Sequence, residues 1–359
     1  MTAVPWLAGT IAFLVVLLLV PVVRFLCSRL HLFDFPGPLK IHTRPIPRLG
    51  GVALAFALIA GVAAVRTPIA RSTWLLFAAF IIVWFSGLVD DLRALHPALR
   101  LVVHFIAAAL LWYAGWGISL FGNTAGNAAA TCLFVVFFIN AFNFLDGADG
   151  IAAGVSALLA IGYIAALGSA QGELASAIAW SLLGACLAFL LFNFPPAKIF
   201  LGDSGSALLG FLAAFLGLAL YRGASVTPAQ SRLLFPLLVA ALPLVDASLA
   251  VLRRTLRGTS PLDGDRFHFY DLLLSRGWTP RRVTLTCYGL TVGLVIAGWS
   301  ILRAGFSEAL VVTALIMGGL LAIAVQLGCL RREDGFRTKR AETRLDWREM
   351  AARRQRQKT

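Results

Sequence analysis

The chain has 359 residues, 59% of them hydrophobic and 13% charged, with a mean hydropathy of +0.85. Soluble domains carry about a quarter charged residues, so this composition excludes an ordinary soluble enzyme and indicates a polytopic membrane protein. The formal net charge of +14 invites a nucleic-acid partner, but basic residues of membrane proteins gather in cytoplasmic loops, so their placement must be read first.

A helix needs about 20 apolar residues to cross the hydrocarbon core. About eleven runs qualify, at 6–24, 50–65, 73–89, 100–119, 127–145, 151–168, 174–194, 205–221, 233–252, 283–302 and 308–330. The first has no basic residue before it and no small-residue cleavage site after it, which makes it a span rather than a cleaved signal. The fold class expected is therefore an all-α polytopic membrane protein of about 11 transmembrane helices. With the N-terminus periplasmic and the C-terminus cytoplasmic, 26 of the 31 Lys and Arg residues fall inside, so the charge needs no nucleic acid to explain it. Residues 1–330 read as one transmembrane domain and 331–359 as a basic cytoplasmic tail near anionic headgroups. The five cysteines are scattered through apolar segments without metal-type spacing and read as core fillers.

The unusual polar clusters fall on the inward side, at helix ends and in loops. The first inward loop holds Lys40, His42, Arg44 and Arg48 among stiffening prolines, ahead of Gly50-Gly51, a setting suited to phosphates as well as to topology. Asp90-Asp91 close the third run. Two carboxylates at a helix C-terminus repel each other and the dipole, so a nearby cation is expected, and the pair suits a general base or a metal-associated site. In Asn140-Ala-Phe-Asn143-Phe-Leu-Asp146-Gly-Ala-Asp149-Gly150 the two amides share a helix face. With the carboxylates they make an oxygen-rich boundary fit for Mg²⁺. Lys198 precedes Gly202-Asp203-Ser204-Gly205, where glycines let a phosphate approach the start of a helix and Asp203 could equally cap it. The longest inward loop combines Arg253, Arg254, Arg257, Asp265, Arg266 and His268 into an anion-binding arm. Asp246, about two turns inside the preceding helix, needs a buried partner. His104, near mid-span, reads as a packed core residue. Hard oxygen ligands beside Arg, Lys and His donors, reachable from lipid and cytosol, suit phosphoryl chemistry at the active-site loops.

Six elements in this order, PRLGG (47–51), Asp90-Asp91, NAFNFLDGADG (140–150), NFPPAKIFLGDSGS (193–206), PLVD (243–246) and RGTSPLDGDRFH (257–268), resemble the polyprenyl-phosphate N-acetylhexosamine-1-phosphate transferase family, glycosyltransferase family 4. The resemblance spans residues 40–271. It implies a multi-pass enzyme of the bacterial inner membrane that moves N-acetylhexosamine-1-phosphate from a UDP-N-acetyl sugar to undecaprenyl phosphate, releasing UMP and starting O-antigen or another envelope polysaccharide. Mg²⁺ is implied as cofactor, with Mn²⁺ as a substitute. By matched position Asp203 holds the cation with Asn143, Asp90 and Asp91 serve the lipid phosphate with Asp90 as base, and Asp203 joins them as a catalytic carboxylate. Asp149 contacts the uridine, and Arg266 and His268 hold the diphosphate. Lys40, His42, Arg48, Asn140, Asp146, Lys198 and Arg257 complete the expected substrate contacts. One departure stands out. Family members often continue with further histidines after His268, where this chain has Phe269, Tyr270 and Asp271. That loss points away from the phospho-MurNAc-pentapeptide transferase branch, which stays as the alternative enzyme, and toward a GlcNAc-type donor. A lipid-linked sugar flippase is the non-enzyme alternative. Membrane lipids are expected partners, and a homodimer is left open.

Overall fold

The computed structural model describes residues 5–37, 42, 44–65, 70–168, 173–223, 227–262 and 264–330. Lys40 and the basic tail 331–359 lie outside the described residues.

Thirteen helices follow one another: α1 (Pro5–Leu30), α2 (Gly50–Ala64), α3 (Arg71–Leu92), α4 (Pro97–Tyr113), α5 (Thr124–Leu145), α6 (Ile151–Leu167), α7 (Glu173–Asn193), α8 (Gly202–Arg222), α9 (Ala229–Val239), α10 (Ala241–Leu256), α11 (Phe269–Ser275), α12 (Pro280–Ile301) and α13 (Phe306–Gln326). A two-residue antiparallel ladder, β1 (Phe33–Asp34) with β2 (Ile46–Pro47), pairs Phe33 with Pro47 and Asp34 with Ile46. It is a small addition to an otherwise helical chain.

Among the described residues, seven helices are long and apolar enough to cross a membrane, and eight if the bent pair α9–α10 counts as one span. This is fewer than the eleven runs expected, because α2, α4 and α6 have only 15, 17 and 17 residues. At 1.5 Å per residue they reach about 22–26 Å, short of a hydrocarbon core of about 30 Å. The run read as 100–119 stops as helix at Tyr113, where Gly115 takes the left-handed conformation that ends helices. The run read as 233–252 bends by 73°. Pro243 lies four residues after Val239 and has no N–H to give its carbonyl, so the ladder breaks at Ala240.

The centre of the bundle is α8, nearly all of whose residues are buried. It is enclosed by α2, α3, α5, α6 and α9. Two close approaches set its position. The Cα of Gly51 on α2 meets the backbone of Gly205, and a Cβ on Gly87 of α3 would come within 2.5 Å of Ser204 Cα, so only glycine lets either backbone come this near. Asp91 lies one turn beyond Gly87 on the same face of α3, directly over the first turn of α8.

Gly87→Ala should therefore separate α3 from α8 and lower the thermal midpoint in detergent, by about 1–3 kcal/mol of overpacking. Gly293→Ala on α12, where an added Cβ meets nothing within 4 Å, should leave the midpoint unchanged or raise it.

Candidate active site

The site is built at the N-terminus of α8. Gly202, at φ +78°, turns the chain into the helix. The buried carboxylate of Asp91 then accepts hydrogen bonds from Asp203 N (2.8 Å), Ser204 N (3.1 Å) and Ser204 Oγ (2.6 Å). Asp91 is thus a helix cap supplied in trans by α3. Its neighbour Asp90 points elsewhere, accepting from Leu95 N at 2.5 Å and from Arg100 Nη1 at 2.6 Å. The same guanidinium nitrogen donates to Asp203 Oδ1 at 3.0 Å, so Arg100 is the cation that the adjacent carboxylates required. Sequence reasoning counted Arg100 only as a loop charge, although the unpaired Asp90-Asp91 had signalled a partner.

Capped by Asp91, α8 presents Asp203, whose side chain is 34% exposed, to a cavity of about 280 Å³. Asn143 of α5 donates to Asp203 Oδ1 (2.7 Å) and to Ser206 Oγ (3.0 Å). In this arrangement the amide nitrogen of Asn143 faces Asp203, and a cation shared by both residues requires the amide to turn over. Asp146, Asp149, His42 and Arg48 line the same cavity. Arg48 arrives because the strand ahead of α2 is stitched to residues 200–201: Phe200 N donates to Pro47 O (2.7 Å), Gly50 N to Phe200 O (2.9 Å) and Gly51 N to Leu201 O (2.7 Å). His42 lies edge-on to Phe200 with ring centroids 5.0 Å apart, and its Nε2 is 3.4 Å from Asp34 Oδ2.

Burial pushes the Asp146 carboxyl well above the ordinary range, reinforced by the charges of Asp203, Asp91 and Asp149. Burial also raises Asp149, against the opposing pull of the Ala197 N–H and His42; Ala197 N donates to Asp149 at 2.8 Å. The cavity therefore gathers more carboxyl groups than cationic side chains, and burial favours their neutral form unless a cation joins them. Among the described residues no group of three His, Cys, Asp or Glu side chains forms a cation cage. Mg²⁺ commonly takes only one or two carboxylates and completes its shell with water and substrate phosphate, so this donor set is of the right kind.

Asn193 opens the NFPPAKIFLGDSGS segment, where the sequence alone assigns it no role. Its Oδ1 accepts from Gly150 N (3.0 Å) and its Nδ2 donates to Ile199 O (2.9 Å), tying the 146–150 turn to the 193–201 loop. Asp91 also lines the cavity, whereas Asp90, beside it on α3, and several other expected contacts do not. Asn140 donates back to Val136 O (2.7 Å) and lies 3.4 Å from His104 Nδ1, so the two buried polar groups satisfy each other. Lys198 is exposed beyond the rim.

The 253–271 arm forms a second layer. Arg253, fully buried, binds Asp265 through Nε (2.8 Å) and Nη2 (2.7 Å) and gives Nη1 to Cys329 O (2.6 Å). Arg254 joins Asp265 at 3.3 Å. Burial opposes the charge of Asp265, but Arg253 and Arg254 outweigh it and hold its carboxyl below the usual range. His268 Nδ1 meets Asp246 Oδ2 at 2.5 Å, which supplies the partner Asp246 needed. Burial disfavours the imidazolium, yet Asp246, Asp265 and Asp271 outweigh it and raise the pKa of His268. Tyr270, standing where a histidine was expected, stacks on His268 at 5.4 Å, gives its hydroxyl to Phe144 O (3.0 Å) and packs against Gly147. Asp271 accepts from Arg266 at 3.3 Å, and Arg257 lies over Phe267 at 4.5 Å. The arm thus meets the floor of the cavity through Tyr270, while Arg257, Arg266 and His268 do not line it.

Comparison with known proteins bears on this geometry. The model of glycosyl transferase family 4 matches residues 73–221, which include Asp90, Asp91, Asn143 and Asp203. The chain is 30% identical over 352 residues to a decaprenyl-phosphate N-acetylglucosaminephosphotransferase of Mycobacterium tuberculosis, covering 88% of this chain and 86% of that one. It is 30% identical over 294 residues to a probable undecaprenyl-phosphate N-acetylglucosaminyl 1-phosphate transferase of Bacillus subtilis, covering 78% and 80%. A phospho-N-acetylmuramoyl-pentapeptide-transferase of Moorella thermoacetica is 33% identical over 279 residues, covering 70% and 83%.

Arg100→Gln leaves the buried Asp90 carboxylate without its cation. The expected loss is roughly 2 kcal/mol, below that of a fully buried pair because Arg100 is 28% exposed. Adding Asp90→Asn should recover much of the lost thermal midpoint in detergent.

Proposed function

Because the chain belongs to glycosyl transferase family 4, we propose that it transfers N-acetylglucosamine-1-phosphate from UDP-N-acetylglucosamine to a polyprenyl phosphate, with undecaprenyl phosphate as the acceptor. The observation that carries this reading is the cluster of Asp203, Asn143 and Arg100 at the start of α8, facing a cavity with more carboxyl groups than cationic side chains. Two anionic substrates cannot meet there without added positive charge, and Asp203, with Asn143 or Asp146, would hold a Mg²⁺ ion that would supply it against the diphosphate.

The acceptor phosphate has a second pKa near 6, so little of its proton remains at pH 7. Asp90 is the base for that remainder, and Arg100 moves from Asp90 onto the incoming phosphate as it binds. The acceptor oxygen then forms a bond to the β-phosphorus of the donor as the bond to the bridging oxygen breaks, and UMP leaves. A covalent route through Asp203 is disfavoured because its Oδ1 already accepts from Asn143 and Arg100. Asp91 lines the cavity, but with both oxygens engaged by the start of α8 its role is to position Asp203. Arg48 and His42 border the diphosphate, and Asp149 the nucleotide.

The three shorter helices complete eleven spans where the bilayer thins around them and their flanking side chains snorkel. The positive-inside bias then places the N-terminus in the periplasm and the α8 cavity at the cytoplasmic face of the inner membrane. A flippase would carry its polar groups to mid-membrane. Here the cavity side chains collect at helix ends instead, and the inward pair His104–Asn140 is closed on itself.

Purified protein with undecaprenyl phosphate and Mg²⁺ should release UMP from UDP-N-acetylglucosamine but not from UDP-MurNAc-pentapeptide. EDTA should stop the release, and Asp203→Asn should lower it by about 10²–10³-fold. Absence of UMP from every UDP-sugar in folded protein would contradict the proposal.

A further inference from the structure

A second cavity, of about 130 Å³, lies between the ends of α6, α8, α9 and α12. Leu220 on its wall is 17 residues beyond Asp203 along α8, about 25 Å at 1.5 Å per residue, so this cavity is at the opposite end of the bundle from the catalytic one. Its walls combine alanines and leucines with Thr227, Arg232, Trp299 and Arg303.

The charge here is one-sided. Arg232 is 9% exposed. Its Nη1 makes a single long bond, 3.4 Å, to Leu220 O, and its Nε is buried with no hydrogen-bond partner. Arg303 lies over the Trp299 ring at 3.7 Å. Among the described residues neither arginine has a carboxylate within ion-pair distance. Of the acidic residues at this end among the described residues, Glu173, the first residue of α7, is exposed and pairs with neither arginine. Glu308, just beyond, is turned onto Gly305 N at 3.0 Å. A buried guanidinium with an unmet donor is costly, and α9 adds the free N–H groups of its first turn at Ala229. A tryptophan beside an arginine at a helix end marks the headgroup level of a bilayer.

We infer that this cavity binds the phosphate of an anionic phospholipid headgroup in the leaflet opposite the catalytic cavity. Arg232 and Arg303 hold the phosphodiester, and Leu220 and the alanines of α6 meet its glycerol. The inference does not depend on the catalytic reading.

Native mass spectrometry of the full chain in neutral detergent, titrated with phosphatidylglycerol or phosphatidylcholine, tests it. Wild type should retain one phosphatidylglycerol in preference to phosphatidylcholine, and Arg303→Gln and Arg232→Gln should each weaken that retention about tenfold, the worth of one charge-assisted bond. Arg303 is exposed, so Arg303→Gln should keep the wild-type thermal midpoint and stand alone if Arg232→Gln fails to fold. Wild-type retention in Arg303→Gln would overturn the inference. So would displacement of the lipid by millimolar inorganic phosphate, which would mark a free-phosphate site.

Discussion

A helix buried along its whole length cannot leave its first N–H groups to water, and α8 meets this constraint with a carboxylate from another helix. Asp91 takes up the N–H groups of Asp203 and Ser204 and the Ser204 hydroxyl together. The bonds stabilise both parties, since the carboxylate is as buried as the donors and would otherwise be desolvated without a partner. Most features of the site follow from it. Gly51 and Gly87 permit the backbones to approach, Gly202 permits the turn, and Asp203 is left at the rim of the cavity with its side chain toward the chemistry.

Charge is then distributed in two layers around that anchor. Near the cavity, Arg100 joins Asp90 to Asp203, while Asp146 and Asp149 remain in excess, which suits a site whose substrates bring a cation with them. Behind it, Arg253, Arg254, Asp265, His268 and Asp246 form a self-compensated network, and Tyr270 carries it to the cavity floor. The arm that resembles an anion-binding loop is thereby a brace in this arrangement. The replacement of the expected histidines by Tyr270 and Asp271 is consistent with that, since one stacks on His268 and the other neutralises Arg266.

Much of this was legible in the sequence, for physical reasons that differ by element. Apolar runs located the helices, and glycine-flanked Asp203 and Asn143 of the NAFNF segment do converge. Helix lengths were less legible: hydropathy does not register that Gly115 ends α4 or that Pro243 bends the α9–α10 pair, because both effects are in the backbone. The Asp90-Asp91 pair was seen as one unit, yet adjacent residues on a helix point about 100° apart. One therefore caps α8 and the other meets Arg100, ten positions along the chain. Asn140 and Asn143 share a face but not a depth, and the inner one is taken by His104. Pairings across helices of this kind have no local signature.

The central claim is that Asp91 acts through Asp203, and Mn²⁺ affinity in the presence of UDP-N-acetylglucosamine, read by electron paramagnetic resonance, tests it directly. Wild type should bind, Asp203→Asn should weaken binding strongly but measurably, Asp91→Asn should weaken it less, and the double variant should bind no worse than Asp203→Asn alone. Losses that simply add would show Asp91 to be an independent ligand and contradict its role as the anchor of α8.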